Sequence, residues 1–300
     1  MTSASSFAVP DQTGRTVVVT GANSGIGFET SRRLAVAGAH VVLACRDVDR
    51  GHRAAERIDG STEVREIDTG SLASVRAFAD GFDRPLDVLI NNAGIMAVDE
   101  ARSTDGFELQ LATNYLGAFA LTGLLLDRLT DRVVMLSSQA HRMGRIALDD
   151  LNWSRRRYSR WGAYGQSKLA DLMFAYDLQH RFTAAGSRLR AVAAHPGTAS
   201  TNLTRGLHMP PWVEAISVAV INGLGQSADA GALPTLYAAT VPDLPGASYI
   251  GPSGAGEMRG GPVVVGSSRS SHNRDVQRLL TDEAERLTGV TIRVPSTSAV

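Results

Sequence analysis

Hydrophobic residues recur along the chain in short runs typical of buried β-strands. Most of the runs are continuous in Val, Ile and Leu rather than alternating, as expected of parallel strands that are covered on both faces. The predicted strands are RTVVVT (15–20), AHVVLAC (39–45), TEVREI (62–67), LDVLIN (86–91), RVVMLS (132–137), LRAVAAH (189–195) and a last one at 247–251. The chain therefore contains a series of sheet-forming segments.

Segments with helical spacing separate these strands. They are 24–37, 48–59, 71–82, two segments within 103–129, 162–185, 226–240 and 275–288. A strand that re-enters a parallel sheet needs a crossover, and such crossovers are right-handed, so the alternation predicts an α/β fold with a doubly wound parallel sheet, a Rossmann-like three-layer sandwich. No linker interrupts the alternation before residue 195, which favours a single domain over residues 1–300 with a disordered N-terminal tail at about 1–12.

Composition narrows the class of protein. The 300 residues are 43% hydrophobic and 20% charged, as in folded globular chains, and 30 basic residues balance 30 acidic ones. No net charge is available to attract nucleic acid or anionic lipid. The single cysteine, Cys45, excludes an internal disulfide and a multi-cysteine metal site and fits a reducing compartment, so we expect a cytoplasmic protein without a metal. No apolar segment approaches the roughly 20 residues of a membrane span.

A glycine-rich turn follows the first predicted strand. In TGANSGIG (20–27), three glycines allow the backbone to turn sharply and to approach a pyrophosphate at the N-terminus of the next helix. Such a turn also occurs in ordinary tight connections between a strand and a helix, so the motif alone leaves both interpretations open. The candidate phosphate-binding residues are Gly21, Asn23, Ser24, Gly25, Ile26 and Gly27.

Tyr164 and Lys168 stand one helical turn apart, so their side chains project from one face of the predicted helix. A phenol titrates near pH ~10, and a nearby ammonium lowers its pKa by favouring the phenolate, which makes the pair a candidate acid/base. An ordinary exposed pair at this spacing is the alternative. Ser138, at the end of a strand, can donate a hydrogen bond to a substrate oxygen or can simply cap a turn. Asn114 lies in a predicted helix although Asn is a poor helix former.

Together these motifs resemble the short-chain dehydrogenase/reductase family over roughly residues 14–201. The resemblance rests on TGANSGIG, Asp68, NNAG (91–94), Asn114, Ser138, YGQSK (164–168) and HPG (195–197), each at the strand end or on the helix where the family has it. The segments NYLGAFALT, YGQSKLADLMF, HPGT, GALPTLYAAT and YIGPSG are most similar to the retinol dehydrogenase-like branch.

The resemblance implies a role for each of these residues. Tyr164 would exchange the proton, Lys168 would lower its pKa and hold the nicotinamide ribose, Ser138 would polarise the carbonyl, and Asn114 would anchor a water that relays protons to the lysine. Asp68 is similar to the acid that contacts adenine, although the next residue, Thr69, stands where an aliphatic residue is usual. The other implied cofactor contacts are Asn92, Ala93, Gly94, Pro196, Gly197, Thr198 and Thr201.

The residues at the end of the second predicted strand indicate whether the cofactor is NAD or NADP. An acid there bonds the ribose 2′-hydroxyl of NAD, whereas an arginine pairs with the 2′-phosphate of NADP. By resemblance, Cys45 stands where NAD enzymes carry Asp, and Arg46 stands at the phosphate-binding place. This favours NADP(H). Asp47 next to it, and Ser24 in place of a second basic residue, weaken the preference.

Two segments bear on the substrate. The segment 198–225, with the apolar stretch MPPWV (209–213), lies where the family has a substrate lid, although a dimer contact or core packing is equally compatible. The segment between Ser138 and Tyr164 carries several arginines and aromatic residues, a composition that can bind single-stranded nucleic acid but that we interpret as a solvated insertion beside the pocket. We therefore expect no nucleic-acid partner.

The predicted function is that of an NADP-dependent oxidoreductase. Hydride would pass between nicotinamide and the carbonyl or alcohol carbon of a small apolar substrate, and the resemblance implies a homodimer or homotetramer. One alternative is a catalytically silent NADP(H)-binding sensor or scaffold, which would typically lack the tyrosine or the lysine. A nucleotide-sugar epimerase or dehydratase is a second alternative, but it would favour a TGxxGxxG turn and a larger C-terminal domain.

Overall fold

The computed structural model describes residues 7–197 and 226–295. Eight strands form one sheet in the order β3-β2-β1-β4-β5-β6-β7-β8, in which the first seven strands run parallel and β8 pairs antiparallel with β7. The strands are β1 (Thr16–Thr20), β2 (His40–Cys45), β3 (Ser61–Glu66), β4 (Leu86–Asn91), β5 (Leu129–Leu136), β6 (Arg190–Ala194), β7 (Tyr249–Pro252) and β8 (Pro262–Val264).

Helices cover both faces of this sheet. They are α1 (Gly25–Val36), α2 (Val48–Ala55), α3 (Leu72–Asp80), α4 (Gly117–Leu125), α5 (Arg160–Ala184), α6 (Ala228–Thr240) and α7 (Arg274–Thr288). Adjacent side chains of β1 point to opposite faces: Val17 and Val19 pack in a core with α1, α2 and α6, and Val18 packs in a second core with α3, α4, α5 and α7. The predicted doubly wound α/β sandwich is thus confirmed.

The strand order reverses direction between β1 and β4. The chain proceeds from β1 outward to β3 and then returns across the sheet to β4. In an open parallel sheet, the connections at such a switch point leave a crevice at the carboxyl ends of the strands, where ligands bind. The glycine-rich turn follows β1, and the NNAG segment includes the end of β4, so both motifs lie at this crevice.

The structure differs from the predicted elements in three places. The two helices expected within 103–129 are one continuous segment, a π-helical turn at Leu111–Leu116 that leads into α4. The strand β5 begins three residues earlier than predicted, because Leu129 pairs with Leu86 across an irregularity in the register. The edge strand β8 was not predicted, since its three residues lie within a segment rich in Pro and Gly.

The N-terminal segment is packed from residue 7 onward. The ring of Phe7 lies 5.2 Å from that of Tyr237 on α6, and Gln12 is buried with its backbone N–H donated to Ala37 O. The expectation of a disordered tail is therefore wrong for residues 7–12, because apolar and amide groups there find partners on two helices. Residues 1–6 lie outside the described part of the chain.

A cluster of charged side chains lies near the amino ends of β1, β5 and β6, at the end of the sheet opposite the crevice. The carboxylate of Asp131 pairs with Arg15 at 2.5 Å, with Arg132 at 3.0 Å and with Arg190. Arg132 is only 1% exposed, and it also donates to the carbonyls of Ala238 and Val241 at the end of α6. Burial raises the pKa of Asp131, but Arg132 and Arg190 more than offset this effect and hold the pKa below its ordinary value.

We expect Asp131→Asn to destabilise the fold by about 3 kcal/mol at neutral pH, because it leaves the buried Arg132 without its counter-charge. A carboxyl group whose pKa is lowered by folding contributes stability above its unfolded pKa of about 3.9, and this contribution is lost as the pH falls through the folded pKa. Urea unfolding of both proteins at pH ~7 and pH ~3 measures the difference. A difference that does not shrink at the lower pH would contradict the assignment of an ionic role.

Candidate active site

A cleft of about 490 Å³ opens at the carboxyl ends of the central strands. Its walls come from the glycine-rich turn, the ends of β2 to β5, and α5. Most of the candidate residues line it, namely Gly21, Asn23, Ser24, Gly25, Ile26, Gly27, Arg46, Asp68, Thr69, Asn92, Ala93, Gly94, Tyr164, Lys168 and Pro196. The fold thus brings cofactor-binding and catalytic candidates from distant parts of the sequence to one site.

The glycine-rich turn is shaped to receive a phosphate. Gly21 and Gly25 have positive φ values of 66° and 57°, and a Cβ on Gly27 would lie 2.4 Å from Gly21 O. Ser24 precedes α1, yet its side chain accepts no capping hydrogen bond, although Ser is a favoured N-cap. The first backbone N–H groups of α1 are therefore open to an anion, and the positive end of the helix dipole favours one.

Thr20 and Asn92 tie the glycine-rich turn to the strand beside it. Thr20 Oγ1 accepts the backbone N–H groups of Asn92 and Ala93 at 3.0 and 2.9 Å. The Asn92 side chain donates to Thr20 O at 2.7 Å. These bonds fix the floor of the cleft between β1 and β4, the place where a dinucleotide would cross the sheet.

Two arginines and one acid at the end of β2 line the cleft, namely Arg46, Arg50 and Asp47. Arg46 is exposed and lines the cleft. Asp47 is engaged as the N-cap of α2, since its Oδ1 accepts the backbone N–H of Arg50 at 2.9 Å. The side chain of Arg50 lines the same cleft and was not predicted as a site residue. The signal available in the sequence was its position in the first turn of the helix that begins just after Arg46.

The helix α5 positions the candidate acid/base pair. Ser159 caps it by accepting the N–H of Gly162, and nearly every side chain from 163 to 178 is buried, so the rotation of the helix is fixed by packing on all sides. Tyr164 is 6% exposed, and its ring packs edge-on to Trp161 at 6.0 Å. Within the described residues its hydroxyl has no hydrogen-bond partner, which leaves it available to a substrate.

Lys168 is held by two acceptors. Its Nζ donates to Leu136 O at 2.9 Å and to Asp171 Oδ2 at 2.8 Å, so one N–H remains for a ribose hydroxyl. Asp171 is fully buried, and burial raises its pKa to about 6 even though the ammonium of Lys168 favours the ionised form. Sequence reasoning missed this carboxylate, because a helical spacing of three residues also fits an ordinary surface ion pair.

The two serines after β5 have different partners. Ser137 is buried, and its hydroxyl donates to Lys168 O at 2.7 Å, which joins the strand to α5. Ser138 is half-buried, and its Oγ accepts the N–H of Ala140 at 3.2 Å where the turn Gln139–Met143 begins. Ser137 rather than Ser138 is among the residues that line the cleft. Because the Ser138 hydroxyl only accepts, its proton is free to be donated to a substrate oxygen.

Asn114 lies in the π-helical turn, a feature that is frequent at functional sites. Its Oδ1 accepts the N–H of Ile95 at 2.8 Å, and its Nδ2 donates to Ile95 O and to Ser167 Oγ. A Cβ on Gly94 would lie 3.2 Å from this Oδ1 and 3.5 Å from Lys168 Nζ. The absence of a side chain at Gly94 thus keeps open the space between the asparagine and the lysine.

The segment between the turn and α5 is anchored rather than merely solvated. Trp153 is 7% exposed, and the guanidinium of Arg156 lies 3.6 Å above its ring. The hydroxyl of Tyr158 donates to the buried carboxylate of Glu108 at 3.0 Å. The expectation of a solvated insertion is wrong for these residues, since buried polar partners on the 95–110 loop hold them.

Part of the predicted site lies outside the described residues. The predicted lid at 198–225, together with Thr198 and Thr201, falls in this part of the chain. Gly197 is described, with a φ of 66°, and its missing Cβ would be 2.5 Å from Met258 O. In residues 7–197 and 226–295, no helix has the length and apolar character needed to cross a membrane.

Comparison with known proteins agrees with this geometry. The family model of the short chain dehydrogenases matches residues 15–210. Retinol dehydrogenase 13 of Homo sapiens is 38% identical over 291 residues, which cover 92% of this chain and 85% of that protein. Retinol dehydrogenase 12 of Homo sapiens is 46% identical over 204 residues, which cover 64% of each chain.

One solved structure covers nearly the whole chain. The crystal structure of an uncharacterised protein from Mycobacterium paratuberculosis has a TM-score of 0.84 and 51% identity, and it covers 95% of this chain and 97% of that one. The residues that the family model matches include the glycine-rich turn, the residues that line the cleft, and α5. The chain therefore belongs to the short-chain dehydrogenase/reductase family, in the retinol dehydrogenase-like branch, and is an oxidoreductase that acts on CH–OH groups with NAD(P).

Proposed function

We propose that the protein is an NADP(H)-dependent carbonyl reductase or alcohol dehydrogenase in which Tyr164 is the general acid/base. The observation that carries this proposal is the meeting of Tyr164, Lys168 and an uncapped helix α1 in one cleft. The bound cofactor supplies or accepts the hydride at its nicotinamide ring. The chain itself orients the cofactor through the turn after β1 and moves the proton at the hydroxyl of Tyr164.

Each catalytic group acts through its own environment. Lys168, charged and held by Leu136 O and Asp171, stabilises the phenolate of Tyr164 and keeps one N–H for the nicotinamide ribose. The proton of Ser138 Oγ is donated to the developing oxyanion of the substrate. A water in the space beside Gly94 would donate to the remaining lone pair of Asn114 Oδ1.

The cofactor preference is argued from charge at the end of β2. Arg46 and Arg50 both line the cleft, whereas Asp47 directs one carboxylate oxygen to the backbone of α2. A 2′-phosphate gains two guanidinium partners at this place, whereas Asp47, which also lines the cleft, keeps only one carboxylate oxygen for a ribose 2′-hydroxyl. One related solved structure, provisionally assigned as an NAD(P)-dependent gluconate 5-dehydrogenase from Beutenbergia cavernae, contains NADP, with 25% identity, a TM-score of 0.58 and coverage of 76% of this chain and 90% of that one.

We expect Arg46→Ala to weaken the binding of NADPH by about tenfold and to leave the binding of NADH within twofold, because a charged hydrogen bond to phosphate is lost. Arg50→Ala is expected to have a smaller effect of the same kind. Fluorescence titration with each cofactor measures both. Arg278→Ala is the control, since Arg278 is a 64% exposed arginine on α7 and does not line this cleft. An equal loss for NADPH and NADH would contradict recognition of the 2′-phosphate.

The substrate is proposed to be small and apolar. Trp161 is 47% exposed and contacts the ring of Tyr164, and Met143 is 64% exposed. Met143 lies close to α5. The backbone of the adjacent Gly144 approaches this helix so closely that a Cβ on Gly144 would lie 2.2 Å from Gly165 O. Two exposed apolar side chains on and near the helix that carries Tyr164 favour a substrate with an apolar body and one carbonyl or hydroxyl group. The names of the retinol dehydrogenase relatives are compatible with this class.

The test is the oxidation of NADPH in the presence of a panel of apolar aldehydes, quinones and ketosteroids, with NADH as comparison. We expect turnover with at least one class and a preference for NADPH. Tight NADPH binding without turnover of any panel member would contradict the proposed substrate class. The family further suggests a homodimer or homotetramer, and the unpaired, buried Cys45 fits the reducing environment of the cytoplasm.

A further inference from the structure

A buried polar cluster lies where the C-terminal part of the chain meets the active site. His195, which follows β6, is completely buried, and its Nε2 lies 2.9 Å from Glu257 Oε2. Gln139, which follows Ser138, donates its Nε2 to the same carboxylate oxygen at 2.5 Å. Arg142 contacts the other oxygen of Glu257 at 3.2 Å. One carboxylate thus accepts from two segments that flank the candidate catalytic site.

The hydrogen bonds of His195 determine which ring nitrogen carries the proton. A carboxylate only accepts, so Nε2 must donate to Glu257. Nδ1 accepts the backbone N–H of Gly197 at 3.2 Å and therefore carries no proton. Burial lowers the pKa of His195 to about 4, although the nearby Glu257 has the opposite effect on this pKa. The lowered pKa keeps the ring neutral at physiological pH. Glu257 thereby fixes the one tautomer that can hold Gly197.

The surrounding backbone is built around this contact. Glu257 has a φ of 54°, a left-handed conformation that is strained for a non-glycine residue. A Cβ on Gly251 would lie 2.1 Å from His195 Nε2, so only glycine fits beside the ring. A Cβ on Gly197 would lie 2.5 Å from Met258 O. Backbone strain at Glu257, together with the close packing of Gly251 and Gly197, indicates that the fold holds the Glu257 carboxylate in a specific position.

We propose that Glu257 is a positioning residue of the active site, which joins the turn at Pro196–Gly197 to the turn after Ser138 through His195 and Gln139. This inference rests on the proposed function, because it assumes that these two turns hold the nicotinamide and the substrate oxygen. Loss of the carboxylate releases both turns at once. Loss of the carboxylate therefore disturbs the geometry of the reacting groups and lowers kcat, and it has little effect on the affinity for the adenosine end of NADPH.

The experiment uses the full chain with ¹⁵N-labelled histidine. The nitrogen shifts of the His195 ring, assigned by comparison with His195→Asn, report the tautomer directly. The wild-type ring is expected as the Nε2–H tautomer. In Glu257→Gln, one carboxylate oxygen becomes an NH₂ group, and this donor faces other donors whichever way the amide turns, either Arg142 or the pair His195 and Gln139. We therefore expect a mixture of tautomers together with a fall in kcat of about tenfold and a KM for NADPH within about twofold.

A matched control and a second variant keep the result decisive. Glu283→Gln makes the same substitution in a surface pair on α7 with Arg286, and it should change neither the ring shifts nor kcat. Gln139→Leu removes only the Ser138 side of the junction and should lower kcat without altering the His195 tautomer. An Nδ1–H tautomer in the wild type, or an unchanged tautomer and kcat in Glu257→Gln, would overturn the proposal. The ring shifts do not depend on turnover, so failure of the proposed function alone would be seen as an inactive enzyme with the expected tautomer.

Discussion

Tyr164→Phe is expected to lower kcat by at least about 100-fold, because general acid–base catalysis by a positioned side chain contributes roughly 10²–10⁴-fold to a rate. Only the hydroxyl is removed, and within the described residues this hydroxyl has no hydrogen-bond partner whose loss would disturb the fold. The ring keeps its contact with Trp161. Steady-state oxidation of NADPH with the best substrate of the panel measures the loss, and fluorescence titration should show cofactor affinity within about threefold of the wild type.

The control for this substitution is Tyr237→Phe on α6. Its ring packs on Phe7, and Tyr237 is not among the residues that line the cleft. The substitution removes the same atom as Tyr164→Phe, the phenolic oxygen. It should leave kcat unchanged. A Tyr164→Phe protein that retains more than about a tenth of the wild-type rate would mean that another group moves the proton, and the role of Tyr164 would have to be withdrawn.

Asp171→Ala is expected to destabilise the protein by about 3–5 kcal/mol, the effect of removing one partner of a buried ion pair. The side chains of Lys168 and Asp171 are 7% and 0% exposed, and loss of the carboxylate leaves the ammonium with Leu136 O as its remaining partner. Urea unfolding at neutral pH measures the change. Asp149→Ala is the control, because that carboxylate is 82% exposed in its pair with Arg155 and should contribute less than about 1 kcal/mol.

Replacing both partners separates charge from packing. The double variant Lys168→Met with Asp171→Leu removes the two charges together, and apolar replacements of a buried pair are often neutral or stabilising. We expect the double variant to be more stable than Asp171→Ala and to be inactive, since it lacks the lysine. A double variant that is less stable than the single one would show that packing around Asp171, not the uncompensated ammonium, causes the destabilisation.

Much of the fold could be predicted from local pattern. The continuous apolar runs VVV in β1 and VVLA in β2 indicate strands buried on both faces, and the glycines after β1 indicate a turn that only they can make. Tyr164 and Lys168 could be identified because helical spacing places them together. These features depend on residues close in sequence, whose geometry is set by the backbone alone.

Features that depend on distant residues could not be predicted in this way. The pairing of His195 with Glu257 joins positions 62 residues apart, and neither residue has a partner at a recognisable spacing. The strand β8 has three residues in a segment rich in Pro and Gly, and it exists because β7 offers an edge to pair with.

Transfer of hydride by this cleft can be tested most directly with NADPH that carries deuterium at the transferred position of the nicotinamide ring. With the best carbonyl substrate of the panel, mass spectrometry of the alcohol product should show one deuterium at the former carbonyl carbon, and Tyr164→Phe should form this product at least about 100-fold more slowly. Binding of NADPH without any deuterium in a product, for every carbonyl class in the panel, would contradict an NADP-dependent reductase and would favour a protein that binds the cofactor without turning it over.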